Sequence, residues 1–522
     1  MLFSDGMTTK VKDHKALFWF TLACTALFGL IAHGYSYFNI MYSHDSLVIY
    51  QGEKEMALQL SVGRFMAPVY IWLRGMFYTP SLIAVLSLLF LGIAIYLMLR
   101  LCKVEKKLFV ICITGILTTS TTITLLHTTY MHDVDRYMLS LLLAVLGVYL
   151  LRRYRWGMIG GAFMICASLG LYQSYFQAAI LLVMILAVLD ILEGKHEKAV
   201  LAAGVKGLAM LLAGLLLYYI GARVIPVLLG VGLMDNYNGL NNVGGYGSIG
   251  DMLVLVIGAY RYVFDYFLHP VTAHSTLAAV LNVIIGAALL SMLCYIAMKK
   301  RIRTVNGILL VLLVLLMPFG MNVIYFISHG FEHHLMIFSF FMLHLFFFVV
   351  FEQFLACVPC KETCPLRRKA FYVPHCVVAC VFAWLILNNV IYANQMYLQK
   401  ELEYQNTLLT INRVIDRIEQ TEGYMVGETP VALVGTLQRS ELSMAHEWFD
   451  KTSVGNSQNF AVTYYETYEN YFERLLAYPI VLLEETESAK WAEHPTVQNM
   501  PSFPYQGSCE MVEGTLIVKL SE

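Results

Sequence analysis

The sequence predicts an all-α polytopic membrane protein of about eleven transmembrane helices, with a small extracytoplasmic α/β domain at its C-terminal end. Three observations lead there. The chain of 522 residues is 58% hydrophobic and only 14% charged, against about 25% charged in an ordinary soluble domain, and its mean hydropathy is +0.64. Apolar stretches recur, each about the 20 residues needed to cross the hydrocarbon of a bilayer. Charge is also unevenly divided. Residues 394–522 hold 8 Lys+Arg against 19 Asp+Glu, a net charge of −11, while residues 1–393 hold 27 against 17, a net charge of +10. The division predicts a membrane domain over 1–393 and a separate domain over 394–522.

The eleven expected spans are 16–40, 80–100, 108–127, 136–151, 157–175, 177–193, 203–226, 276–297, 305–327, 335–356 and 371–393. Only a Tyr-Gln-Ser-Tyr-Phe break divides 157–193 into two. The first span follows Lys10, Lys12 and Lys15 and is too long for a signal-peptide core, so it reads as a retained anchor. Its flanking charges begin a pattern. One set of loops carries 21 Lys+Arg and the opposite set only 6. Positive charge marks the cytoplasmic side, which places the N-terminus inside and the tail outside. The polar clusters with chemical potential then all face outward. The inner loops are short and basic and contain no phosphate-cradling glycine loop, so neither a nucleotide nor a nucleic acid is expected as a partner.

Residues 41–79 are too polar to span and too apolar to float free, and they are expected to lie at the surface as interfacial helices. Asp45 sits where the first span emerges. An ionisable residue at such a place is a functional candidate, or simply a water-facing helix end. The outer loop 227–250 is rich in Gly and Asn and reads as a lid or a linker, and 251–268, with Arg261 and Asp265, reads as a further interfacial helix. The tail opens with a helix over 399–420. Strand-like runs follow at 431–435, 480–483 and 515–520, with a helix over 466–477 between the first two, the pattern of a small α/β domain. Its tyrosines Tyr464, Tyr465, Tyr468 and Tyr471 could stack on sugars or pack a core. Of eleven cysteines most lie in apolar spans as small hydrophobes. Cys357, Cys360 and Cys364 have metal-like spacing without a paired second knuckle.

Four outward clusters carry candidate chemistry: Ser43-His44-Asp45-Ser46; His127 through Arg136, with Asp133 and Asp135; Tyr172-Gln173; and His329 through Glu332, His333 and His334. A carboxylate at a membrane-edge cavity can serve as general base, and an arginine can balance a phosphate leaving group with its planar fork of donors. Asp45 with Arg64 fits that pairing, as does Asp133 or Asp135 with Arg136. For the latter, a local ion pair one helical turn apart is equally consistent. Tyr172-Gln173 is also readable as a polar turn between spans, and His333-His334 as a phosphate contact or an interfacial pair.

These motifs (an Asp-containing outer motif after the first span, an interfacial loop with Gly63-Arg64, Tyr172-Gln173 between middle spans, and a Pro430-Val-Ala-Leu-Val-Gly435 tail) resemble the bacterial Gtr-type glucosyltransferases of O-antigen and cell-wall polysaccharide, of type-C (GT-C) architecture. The resemblance implies a GT-C-like catalytic domain in the bacterial plasma membrane. Its donor would be a sugar on undecaprenyl phosphate and its acceptor a surface polysaccharide. It implies Asp45 as base, with Asp133 or Asp135 supplying any second carboxylate, because the neighbours of Asp45 are His44 and Ser46 rather than the paired acid of many members. His44, Arg64, Arg136, Tyr172, Gln173, Glu332, His333 and His334 are the expected substrate contacts. No cofactor and no metal ligand is expected, although two carboxylates brought together in space could hold a divalent ion. A transporter or flippase of a lipid-linked sugar would need polar residues along both halves of a path and internal repeats, neither of which is visible. A non-catalytic envelope-assembly scaffold would tolerate loss of the outer carboxylates.

Overall fold

The computed structural model describes residues 10–11, 13–47, 52–76, 78–234, 246–358, 365–437, 460–462 and 465–521. Tyr464, Cys360, Cys364 and the centre of the 227–250 loop lie outside them. Among the described residues, ten helices are long and apolar enough to cross a membrane. In chain order the membrane part comprises α1 (His14–Phe38), the short α2 (Glu53–Ser61) and α3 (Ala67–Arg74), α4 (Pro80–Cys102), α5 (Lys107–Thr118) and α6 (Thr121–Thr129), which together make one broken span, and α7 (Val134–Arg153). There follow α8 (Gly157–Leu171), α9 (Phe176–Leu192), α10 (Glu197–Leu228), α11 (Ile249–Leu268), α12 (Thr276–Lys299), α13 (Thr304–Met321), α14 (Val323–Ile327), α15 (Phe338–Cys357) and α16 (Pro365–Glu419).

The expected span 157–175 is not among the ten: α8 is a helix of only 15 residues. It ends where Tyr172 turns extended before the short helical turn Gln173–Tyr175. Small residues let it pack closely between α7 and α10. A Cβ on Gly161 would lie 2.4 Å from Met210 Sδ and 2.7 Å from the Gly147 carbonyl oxygen. Such close approach replaces the hydrophobic driving force that is missing between helices in lipid. The α5–α6 span breaks in a run of hydroxyl residues. Thr119 bonds back to the Gly115 carbonyl at 2.9 Å, and Thr122 donates to the carbonyl of His334.

One end of the bundle is tied by basic loops. Lys103 meets Glu193 at 2.6 Å, Arg152 meets Asp190 at 2.6 Å and Lys106 meets Glu352 at 3.6 Å. The opposite end carries α2, α3 and the tail. The expected interfacial stretch therefore exists as two short helices, and they tuck against the bundle with Glu55, Gln59, Leu60, Ala67 and Ile71 buried.

The 393/394 division falls inside a continuous helix. α16 runs 55 residues from the bundle into the tail, where Ile411, Val414 and Ile418 join the tail's own core. That core is built on a four-stranded sheet of order β2-β1-β4-β3: β1 (Pro430–Val434), β2 (Val481–Leu482), β3 (Cys509–Val512) and β4 (Thr515–Lys519). β1 runs parallel to β2 and β4, and β3 pairs antiparallel with β4. Three of these strands match the apolar runs in the sequence. β3 does not, because its residues Cys-Glu-Met-Val are mixed; it is fixed by the two-residue turn Glu513-Gly514, both with positive φ, the geometry a tight hairpin needs. Tyr468 and Tyr471 are fully buried in this core, so they pack rather than stack on sugars.

The tail also grips the Asp45 turn. Leu47, 1% exposed, sits in the tail core, and Tyr42 lies between Tyr78 of the bundle and Tyr404 of α16. On the other side the Ser43 hydroxyl donates to the carbonyl of Thr129 at 2.6 Å. Truncating Leu47 removes a buried side chain at this joint. Leu47→Ala is expected to cost about 2–5 kcal/mol, read as a lowered denaturation midpoint together with faster proteolysis between α1 and α2; an unchanged midpoint would show that the joint carries no stability.

Candidate functional site

At the tail-side end, α2 and α3 close over the start of α7 and the α8–α9 turn. Arg136, fully buried, forms a two-pronged pair with Asp133: Nε donates to Oδ1 at 3.1 Å and Nη2 to Oδ2. The pairing is the i,i+3 contact expected from the spacing. Burial of a guanidinium demands more acceptors. They come from another element: Arg136 Nη1 donates to Gln59 Oε1 at 2.9 Å and to the Leu171 carbonyl at 3.3 Å. Gln59 Oε1 also accepts from Arg64 Nη1 at 3.3 Å, and Gln59 Nε2 donates to Glu55 Oε1 at 2.6 Å. One amide thus serves two arginines on its oxygen side and a carboxyl on its nitrogen side.

Arg64 extends the network outward. Its Nε donates to Gln173 Oε1 at 3.3 Å, and its guanidinium lies over the Tyr172 ring at 5.1 Å. Gln173 in turn donates to the Val62 carbonyl at 3.0 Å and to the Tyr218 hydroxyl at 3.1 Å. Gly63 makes this approach feasible: its φ is +80°, and a Cβ there would stand 2.9 Å from the Tyr218 hydroxyl. An aromatic series, Tyr137, Tyr172, Tyr175 and Phe338, backs the arginines, with ring centroids 4.3, 5.7 and 6.0 Å apart in turn.

Asp45 lies on the other side of Asp133. His44 Nε2 is 3.2 Å from Asp45 Oδ2, and Tyr130 is hydrogen-bonded to the same carboxylate. Burial pushes the Asp45 carboxyl upward, but the His44 bond and charge, the Tyr130 bond and the charge of His132 outweigh it, holding the carboxyl down at about 2. His132 bridges toward the arginine pair, with Nε2 3.7 Å from Asp133 Oδ2. His44, Asp45, Asp133, Arg136, Arg64, Tyr172 and Gln173 are thus gathered into one neighbourhood.

Asp135 points elsewhere. Arg74 Nη1 donates to its two oxygens at 3.1 and 3.3 Å, and Tyr70 donates to Oδ2 at 2.8 Å. It latches α3 to α7. Glu332 and His334 belong to a second cluster, with Tyr262, Tyr266 and Asn322 around them. The adjacent His333 caps the turn, accepting from Leu335 N at 3.3 Å. Burial, opposed by Asn322, pushes Glu332 up to about 8. Among the described residues, no group of three or more His, Cys, Asp or Glu is placed to hold a metal ion.

The residues that sequence reasoning passed over are Glu55 and Gln59 of α2; Tyr130 and His132, beside Asp45, fall in the His127–Arg136 cluster but had no role assigned. Glu55 and Gln59 carried a signal, being four apart on one face of a short helix, where side chains at i and i+4 are neighbours. Nothing in the sequence said that this face turns inward.

A groove of about 560 Å³ opens beside the network. Leu169, Leu212, Leu215, Leu216, Ile324 and Ile327 give it apolar walls, and Gly63, Gln173 and Tyr218, the groups around Arg64, line it too, as does Arg223. A family model described as Glucosyl transferase GtrII matches residues 34–350, more than half of the chain. The chain belongs to the GtrII glucosyltransferase family. No curated protein and no solved structure matches it. The matched stretch holds the whole arginine network, the Asp45 turn and the second cluster, and it stops within α15, before α16 and the tail. This GtrII-family protein is a multi-pass membrane glucosyltransferase.

Two outcomes follow from the electrostatics. Arg74→Leu leaves Asp135 buried and unpaired and is expected to cost about 3–5 kcal/mol, whereas Arg74→Leu with Asp135→Leu recovers most of that loss; equal losses in a denaturant double-mutant cycle would contradict the latch. Asp45 titrates below its unfolded value, so its contribution to stability is present above pH ~4 and fades as pH falls toward 2. An acid-side unfolding curve should therefore shift upward in pH in Asp45→Asn relative to a control carboxylate on the surface, and an unshifted curve would remove the His44 pairing from the account.

Proposed function

We propose that this protein moves a glucose residue from undecaprenyl phosphate to a hydroxyl of a surface polysaccharide, on the outer face of the bacterial plasma membrane. The observation that carries the donor reading is the groove. Its apolar walls suit a polyprenyl chain, and it shares Gln173, the partner of Arg64, with the network that Arg64 and Arg136 form through Gln59; Arg223 lines it as well. Two guanidiniums near a single apolar trough suit a lipid whose head is a phosphate, because an arginine fork offers paired donors to phosphate oxygens.

Asp45 is the base. Its carboxylate stays ionised through the neutral range, which a proton acceptor requires. His44 and Tyr130 fix its direction, and the tail, through Leu47, fixes its depth. The acceptor hydroxyl gives its proton to Asp45 and attacks the anomeric carbon. The bond from that carbon to the phosphate oxygen breaks, and the electron pair leaves with the lipid phosphate. Arg64 and Arg136 balance the charge that develops there. Closing α2 and α3 over the reactants holds them together and excludes water, which would otherwise compete for the same carbon.

The N-terminus is cytoplasmic and the tail extracytoplasmic in this reading. The basic loops tied together at one end of the bundle support it, as does the net negative charge of the tail.

Surface polysaccharide from intact, deleted and complemented strains provides the test, with linkage read by mass spectrometry and NMR. Deletion is expected to remove one glucose branch. Asp45→Asn, present at normal levels, is expected to restore no more than about one part in 10²–10⁴ of the transfer rate. Full rescue by Asp45→Asn would end the assignment of the base. Arg64→Lys is expected to retain more transfer than Arg64→Ala, because it keeps the charge while losing the fork.

A further inference from the structure

Glu55 differs from the buried aspartates around it. Asp133 is matched by Arg136 and Asp135 by Arg74. Glu55 is 2% exposed and, among the described residues, uses only one oxygen: Oε1 accepts from Gln59, while Oε2 is buried with no hydrogen-bond partner among them. A buried carboxyl oxygen without a partner is costly, and the cost is greatest when the group is charged. It sits one residue contact from the shared acceptor of both arginines.

We propose that Glu55 is a phosphate-binding residue of the donor site: in its protonated form its Oε2–H donates to an oxygen of the lipid phosphate, while Oε1 holds Gln59 in the orientation that serves Arg64 and Arg136. This rests on the lipid-phosphate donor reading above. The amide orientation follows from the geometry. The two guanidiniums can only donate, so the Gln59 oxygen faces them and its nitrogen is left to donate to Glu55 Oε1. The phosphate then completes the one bond that Glu55 lacks.

The surroundings keep the acid in the required form. Burial and the Asp133 charge push Glu55 up, against the Gln59 bond and the charges of Arg136 and Arg64, to about 7. Elsewhere on α2, Lys54 faces Glu473 of the tail. Below pH 7 Glu55 is neutral and donates. Above it the group is ionised, the donated bond is lost and the charge opposes the phosphate. In the uncharged state the arginines also face the phosphate without a further anion competing for them.

Equilibrium binding of a polyprenyl phosphoglucose to the full chain in nanodiscs, from pH 6 to pH 8, tests the proposal. The probe is a phosphodiester and does not itself titrate over that range. Wild-type affinity is expected to fall about tenfold, because each unit of pH beyond the pKa reduces the protonated fraction about tenfold. Glu55→Gln keeps both an acceptor and a donor without a titrating proton, so its affinity is expected to stay level near the wild-type value at pH 6. Glu55→Ala is expected to bind weakly at every pH. A flat wild-type profile, or the same fall in Glu55→Gln, overturns the role of Glu55 while leaving the donor reading intact. Failure of the wild type to bind the probe at any pH overturns the donor reading, and the Glu55 proposal with it.

Discussion

A guanidinium with no exposure to water governs the architecture of this protein's polar end. Arg136 is buried beside Asp133, and a buried ion pair repays its desolvation only when the remaining donors are also satisfied. The α7 helix cannot do that by itself. It needs the Leu171 carbonyl at the end of the short α8, and it needs Gln59 from α2. The shortness of α8, the turn at Tyr172 and the inward face of α2 all answer to that need. Had α8 continued as a full-length span, the Leu171 carbonyl would have been spent on the helix's own ladder.

The same network also borders the groove. Gln59 is shared by two arginines, and Arg64 carries the chain of contacts to Gln173, Tyr218 and the mouth of the groove. The groove is largely apolar and borders the arginine network through Gln173, and the GtrII family assignment supplies the sugar chemistry. Asp135, two residues from Asp133, is excluded from this neighbourhood by helix geometry. Residues two apart point to different faces, and Arg74 and Tyr70 take up the carboxylate on its own side.

Among the described residues, the tail contributes to the Asp45 turn without supplying any of the arginine network. Its core accepts Leu47, while the Ser43 hydroxyl anchors the other side of the turn to Thr129. Asp45 therefore projects from a turn clamped between two bodies. A 55-residue helix joins those bodies, which gives the clamp a stiff frame and makes the boundary between membrane part and tail a matter of environment rather than of a linker.

The sequence by itself determined the membrane class, ten of the eleven expected spans, the α/β character of the tail and the Asp133–Arg136 pair. Hydrophobic length, charge asymmetry and i,i+3 spacing are local properties, and the bilayer and the helix read them directly. It also placed Asp45, Arg64, Tyr172 and Gln173 among the candidates, because polar residues beside apolar spans are conspicuous. What only the tertiary structure decided was partnership. That Gln59 would bridge two arginines, that one Glu55 oxygen would have no partner among the described residues and that Glu332 and His334 would gather round Tyr262 and Asn322 depend on which helix faces meet. α2 is nine residues long, too short for a periodic pattern to reveal which side turns inward, and its buried polar face exists only because the partners that satisfy it arrive from α7 and from the loop after α2.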